Sequence, residues 1–175
     1  MSALPQAAIA ALAQFIDASD PELNVILLTA PNSTQFRLVL NNQPTQVTDF
    51  FAGSDFTARE PTVRLRVRPP GPSRVMDDYS FTLGDLSAPR PVRVSSFADL
   101  DSENFRAGEV LGLSRIEDIV DTARARSEIL DGQVTAIVVS RFGRDIRIVA
   151  NVASARSEAI AEFDRTGVFL RAQQV

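Results

Sequence analysis

The chain has 175 residues, 45% of them hydrophobic and 23% charged, so it can bury a core and lies far from the disordered corner of low hydrophobicity and high charge. It contains neither cysteine nor histidine, which removes disulfides, thiol chemistry, the commonest metal ligand and the commonest general base. A net charge of -4 opposes nucleic-acid binding by the chain as a whole, because such binding depends on neutralising phosphates. No apolar run approaches the roughly 20 residues of a membrane span. The N-terminus "MSALPQAAIAALAQFIDASD" lacks the basic start and cleavage pattern of a signal peptide. A cytosolic product or a particle component is expected. All 18 basic residues are arginine. Either GC-rich coding or selection for a planar, bidentate cation gives that bias.

A helix is expected from about Ala3 to Ala18, with Ser2 as N-cap and Ala8, Ile9, Leu12, Phe15 and Ile16 on one stripe. Pro21 cannot continue it. "LNVILLTA" reads as a strand buried on both faces, and "QFRLVL" as a second strand. The turn-rich stretch "NNQPTQVTDFFAGSDFTAREP" follows. Its Phe50, Phe51 and Phe56 either fold back onto the core or form an exposed aromatic patch at an interface.

In "TVRLRVR", Arg64, Arg66 and Arg68 alternate with Val63, Leu65 and Val67, so the arginines share one strand face and the apolar residues the other. "PPGPS" is a rigid turn. "YSFTLGDL" places Tyr79, Phe81 and Leu83 on one face, and "RPVRVSSF" turns Val92 and Val94 inward and Arg93 outward, completing an antiparallel meander. Three roles are open to the arginine face. It can pair with cross-strand acids such as Asp77, Asp78 or Asp85, each pair contributing about 0.2–1 kcal/mol. It can form a subunit interface, or contact phosphate.

Asp77 and Asp78 could serve as acid and base or hold a divalent ion, but neighbours on a strand point to opposite faces and do not converge. Asp99, Asp101 and Glu103 in "FADLDSENF" echo the start of a calcium loop. Asn104 stands where that loop needs glycine and Val110 where it needs glutamate, so a polar loop is expected and no metal site.

From Ser114, paired with Glu117 as a capping box, a helix is expected with Ile116, Ile119, Val120, Ala123 and Leu130 on one stripe, ended by "DG" at 131 and 132. "QVTAIVVS" and "DIRIVANV" form a hairpin around Gly143. "SARSEAIAEFDRTG" reads as a short helix capped by Ser154 and closed by Gly167, before a last strand "VFLRA". A further strand from "FRAGEVLGL" would give a ferredoxin-like order. The expected fold is α+β: an antiparallel, sandwich-like β core with an N-terminal helix (residues 1–110) and a smaller C-terminal α-β-β-α-β region (111–175), either separate or packed with the first as one unit. There is no Walker loop, G-x-G-x-x-G, G-x-S-x-G or internal repeat.

"VILLTAPNSTQFRLVLNNQPTQVT" (25–48), "PTVRLRV", "DYSFTLGDLSAPRPVRVSSFADL" and "FRAGEVLGL" together resemble a family of small tailed-phage minor tail proteins. That family pairs an "LLT" strand with an "R-V/L-V-N" strand. It then has "PTV-x-L", "F-x-F-T-L-x-D" and a terminal "P-G-L/F". The resemblance spans about residues 15–113; the stretch from Thr48 to Pro61 is shorter than the family's middle segment, and the region beyond 113 has no counterpart in it. It implies a non-enzymatic virion part in the tail or neck, in contact with copies of itself and neighbouring virion proteins. Phe50, Phe51, Phe56, Arg64, Arg66 and Arg68 are the candidate interface residues, with no cofactor, membrane or small-molecule substrate. The rival expectation is a cellular adaptor that binds a partner peptide at a sheet edge. An acid-dependent enzyme or metal binder using Asp77, Asp78 or Asp99 is the least favoured.

Overall fold

A computed structural model describes residues 3–31, 43–53 and 59–175. The expected strand "QFRLVL", the N-cap Ser2 and the aromatic Phe56 lie outside the described residues.

Helix α1 (Leu4–Ile16) starts with a proline in its first turn and ends where Asp17 takes a left-handed conformation, φ 54°. Ala8 and Leu12 are buried and Ile9 and Ile16 partly so, whereas Phe15 is exposed and meets Tyr79 edge-on, with ring centroids 6.0 Å apart. Strand β1 (Glu22–Thr29) is buried on both faces along nearly its whole length, as its continuous apolar run requires. A bulge at Asn24 sends Leu23 and Ile26 to one face and Val25 and Leu27 to the other.

Helix α2 (Thr45–Ala52) occupies part of the stretch expected to be turns. The expectation missed it because the helix is short and its apolar side consists mainly of Val47 and Phe50. Strands β2 (Thr62–Arg68) and β3 (Met76–Thr82) continue the meander. "YSFTLGDL" is not one strand: Leu83 (φ 53°) and Gly84 (φ 83°) form a tight two-residue turn into β4 (Asp85–Leu86), which leaves Leu83 in solvent. Strand β5 (Arg90–Val92) pairs with the other end of β3.

Helix α3 (Leu100–Glu103) and the two-residue strand β6 (Phe105–Arg106) follow. The expected strand "FRAGEVLGL" therefore turns after two residues into 3-10 turns over 107–109 and 111–115, and the ferredoxin-like order does not form. Helix α4 (Ile116–Arg126) begins later than the capping box implied, because the Ser114 hydroxyl donates to the Leu111 carbonyl at 2.8 Å. Leu130 lies beyond the helix and is exposed.

Strands β7 (Gln133–Phe142) and β8 (Asp145–Ala153) make the expected hairpin, with Gly143 at φ 74° in its turn. The expected helix after Ser154 is instead strand β9 (Glu158–Asp164), paired with β8. Its "EAIAEF" alternation puts Ala159, Ala161 and Phe163 on one face, and a period of two prevails over the helix propensity of alanine and glutamate. The Ser154 hydroxyl does accept the amides of Arg156 and Ser157, but as a local turn between strands. Strand β10 (Phe169–Gln174) closes the chain as expected.

Among the described residues these strands form one antiparallel sheet in the order β10-β9-β8-β7-β1-β2-β3-β4, with β5 on β3 and β6 on β1. The fold is α+β with an antiparallel sheet at its centre. Strand β1 pairs with β2 on one side and β7 on the other, so residues on both sides of position 110 share that sheet. Its first face buries the larger apolar core beneath α1 and α4, including Leu65, Ile137, Ile148 and Phe163. At Gly112 an added Cβ would lie 2.6 Å from the Ile148 side chain and 2.9 Å from the Gly167 amide, so only glycine lets the 111–115 turn seat on that face. The second face holds a smaller cluster around Val25, Val138, Val47 and Phe50.

Candidate functional site

The arginine side of β2 belongs to this second face. Arg66 is 5% exposed and Asp78, opposite it on β3, 9%. The Arg66 Nε–H donates to Asp78 Oδ1 at 2.8 Å and an Nη2–H to Oδ2 at 3.0 Å, a bidentate fork. The guanidinium also lies 5.0 Å from the centre of the Phe50 ring on α2, and Phe50 meets Phe51 edge-on at 5.8 Å. Arg90 on β5 approaches the same carboxylate at 3.8 Å. Asp77 points to the opposite face, toward Tyr79, as strand alternation requires, and the two carboxylates do not converge.

The six expected interface residues thus take different roles. Phe50, 1% exposed, and Arg66 are interior, which corrects the expectation that they offer a contact surface. Phe51 is partly buried beside the Phe50 cluster. Arg64 is half-buried in a recess of about 340 Å³ together with Phe50, Ser80 and Arg90. Arg68, at the strand end, binds Asp101 at 2.9 Å and Glu22 at 3.4 Å. Phe56 lies outside the described residues.

Next to the Arg66–Asp78 pair is a cleft of about 240 Å³ between α2, the segment after β5 and α3. Asn24 is at its floor, Met76 and Phe97 supply apolar wall, and Asp49, Glu103 and Arg93 supply charge. Phe97 is 96% exposed at its rim. Burial raises the Glu103 carboxyl above the ordinary glutamate range, and the charges of Asp99 and Asp49 raise it further, against a backbone donor from Asp99 and the Asn24 amide. Sequence reasoning named Glu103 only as a loop residue and did not single out Asn24, Asp49 or Phe97. The available signal was a lone amide inside the apolar run "LNVILL".

No group of three or more acidic side chains among the described residues is placed to hold a metal ion, and no described helix is long and apolar enough to cross a membrane. No protein-family model and no curated protein matches the chain. The fold is similar to the crystal structure of a putative lipoprotein from Clostridium difficile 630. The TM-score is 0.53, with 9% identity over 96% of this chain and 90% of that one. At that identity the likeness is one of fold alone.

Proposed function

We propose that the chain is a non-enzymatic structural subunit of a tailed-phage or phage-like particle, in the tail or neck, assembling through subunit contacts in the virion. The observation that carries this reading is the sheet edge at β10. The amide of Val175 donates to the Glu158 carbonyl at 2.9 Å, so by antiparallel alternation the amides and carbonyls of Ala172 and Gln174 face away from β9. Among the described residues no strand takes them up. Monomeric proteins usually blunt such edges with charge, proline or very short strands, as this chain does at its opposite end with two-residue β4 and with Arg90 and Pro91 in β5. Strand β10 runs six residues with Leu170 exposed, no proline and Arg171 as its one charge, and Arg171 is paired with Glu162. Such an edge is suited to adding a strand from a neighbouring subunit, and repeated head-to-tail contacts of that kind build rings and tubes. The short strand patterns shared with phage minor tail proteins support the same reading.

The alternative, a cellular adaptor that binds a partner peptide, draws support from the open cleft beside Phe97. Light scattering behind a sizing column, over a wide range of protein concentration, tests the first reading. Defined multimers are expected, and Leu170→Lys combined with Gln174→Pro, which adds charge and removes one outward amide, should reduce them to monomer without lowering the melting temperature of the monomer. A chain that stays monomeric throughout, alone and mixed with its particle neighbours, would favour the adaptor.

A further inference from the structure

A chain that joins copies of itself head to tail by strand addition needs two open edges, one to offer and one to receive. Among the described residues this sheet has one. Beyond β3 the far edge is split between two-residue β4 and three-residue β5, and Pro91 in β5 has no amide hydrogen to give. Between those two pieces the Ser80 amide donates to the Ser87 hydroxyl at 2.9 Å and the Ser80 carbonyl accepts the Ser87 amide at 2.8 Å, so the gap is closed as well. At the other end of the sheet β10 keeps Ala172 and Gln174 turned outward, with Val168, Leu170 and Val175 exposed along or beside it.

The β10 edge is complementary to itself. In an antiparallel ladder, backbone groups that point outward must meet groups that also point outward. Two β10 strands side by side satisfy this with Ala172 opposite Gln174 of the second copy and, by symmetry, Gln174 opposite its Ala172. The axis then passes Gln173, which faces its own copy, and Arg171 faces Val175. Arg171 is the one charge on the strand, so this register sets no charge against its like, and Arg171 stays with Glu162 of its own sheet. An axis on Ala172 would instead bring Gln174 against Leu170, at the bulge where the regular ladder breaks.

We infer that β10 pairs with the β10 of a second copy about a two-fold axis at Gln173, which joins the two sheets into one. This partner assignment rests on β10 being an assembly edge, as proposed above. A ring or tube then has the pair as its repeating unit, joined through other surfaces of the chain.

Single cysteines test the pairing, since the chain has none of its own. Position 173 becomes a non-hydrogen-bonded site across the axis, where opposing Cα atoms lie about 4.5 Å apart, within the span of a disulfide. Gln173 is exposed, so the full chain should accept Gln173→Cys without loss of fold. Oxidised with diamide, it should form a disulfide-linked dimer at least about tenfold faster than a chain carrying Ser96→Cys, an exposed position after β5, because pairing holds the thiols at high local concentration. Arg171→Cys and Val175→Cys should each cross-link poorly alone and readily when mixed, which tests the register independently of the variant at 173. Equal rates at 173 and 96, or ready cross-linking of Arg171→Cys alone, in a chain that still forms multimers by light scattering would overturn the two-fold pairing and leave the assembly reading standing. A monomer at every concentration, with no cross-link at 173, would remove both.

Discussion

Strand β2 sends Val63, Leu65 and Val67 into one face of the sheet and Arg64, Arg66 and Arg68 into the other, and the two faces bury these residues by different means. On the first face two helices close over aliphatic and aromatic side chains, and the favourable contribution grows with the apolar area removed from water. On the second face, among the described residues, only the short helix α2 covers the centre, and buried polar side chains are held by directional hydrogen bonds: Arg66 with Asp78, Asn24 with Asn104, and Asn151 donating to Thr135 at 2.7 Å, while Oδ1 of Asn24 and of Asn151 accepts none. The first face tolerates changes of shape that conserve volume; the second depends on each donor keeping its acceptor.

The largest effect should come from emptying the first face. Phe163→Ala removes a fully buried ring that meets Phe169 edge-on at 5.7 Å, and should cost about 3–5 kcal/mol in chemical denaturation. A loss below about 1 kcal/mol would show a core loose enough to collapse around the gap. On the second face, Asp78→Ala should cost about 3 kcal/mol because it strands a buried guanidinium, while Arg66→Met with Asp78→Leu should return close to the parent stability. A double variant as unstable as the single one would mean that the pair is worth more than its desolvation.

A smaller effect is expected in the β9–β10 turn. Burial would raise the Asp164 carboxyl, but the hydroxyl and amide of Thr166, with the amides of Val168 and Gly167, hold it below the ordinary aspartate range. Its stabilisation is present above the unfolded aspartate pKa and is lost as pH falls through the lower folded value. Asp164→Ala should cost about 1 kcal/mol at neutral pH and nothing in strong acid, measured by denaturant midpoints across pH. Smallest is Glu103. Its raised carboxyl makes the folded chain bind a proton more readily than the unfolded one, so stability should rise as pH falls through the raised folded value toward the unfolded one. Glu103→Gln should abolish that rise and be slightly more stable than the parent at neutral pH, which a pair of melting curves would show.

Much of the first face was legible in the sequence, because its determinants are local. The alternation of "TVRLRVR", the apolar run "NVILLT" and the hairpin around Gly143 dictate strands whatever lies beside them. The failures lie where a tertiary partner decides. "EAIAEFD" satisfies helix propensity and strand alternation alike, and the edge offered by β8 selects the strand. "TQVTDFFA" is too short to declare a helical period, and folds as one because Val47 and Phe50 find Val25 and Val138 beneath them. The arginine face was correctly placed on one side of β2, but its burial could not be read, since the helix that covers it was the element missed. The cleft was illegible for the same reason: Asn24, Asp49 and Glu103 are far apart in sequence, and only the sheet brings them together.

The central position of β1 has a further consequence, for the time course of folding. Residue 26 pairs with residue 65 on one side and with residue 139 on the other. The first contact closes within a modest loop, while the second waits for a distant part of the chain to be made and to find its place. Contacts of such long range slow folding, because the entropy of closing the loop must be met before the pairing rewards it. During synthesis the β1–β2–β3 meander can form early with one edge of β1 open, and β7, arriving as half of a ready-made hairpin, is the piece that shuts it.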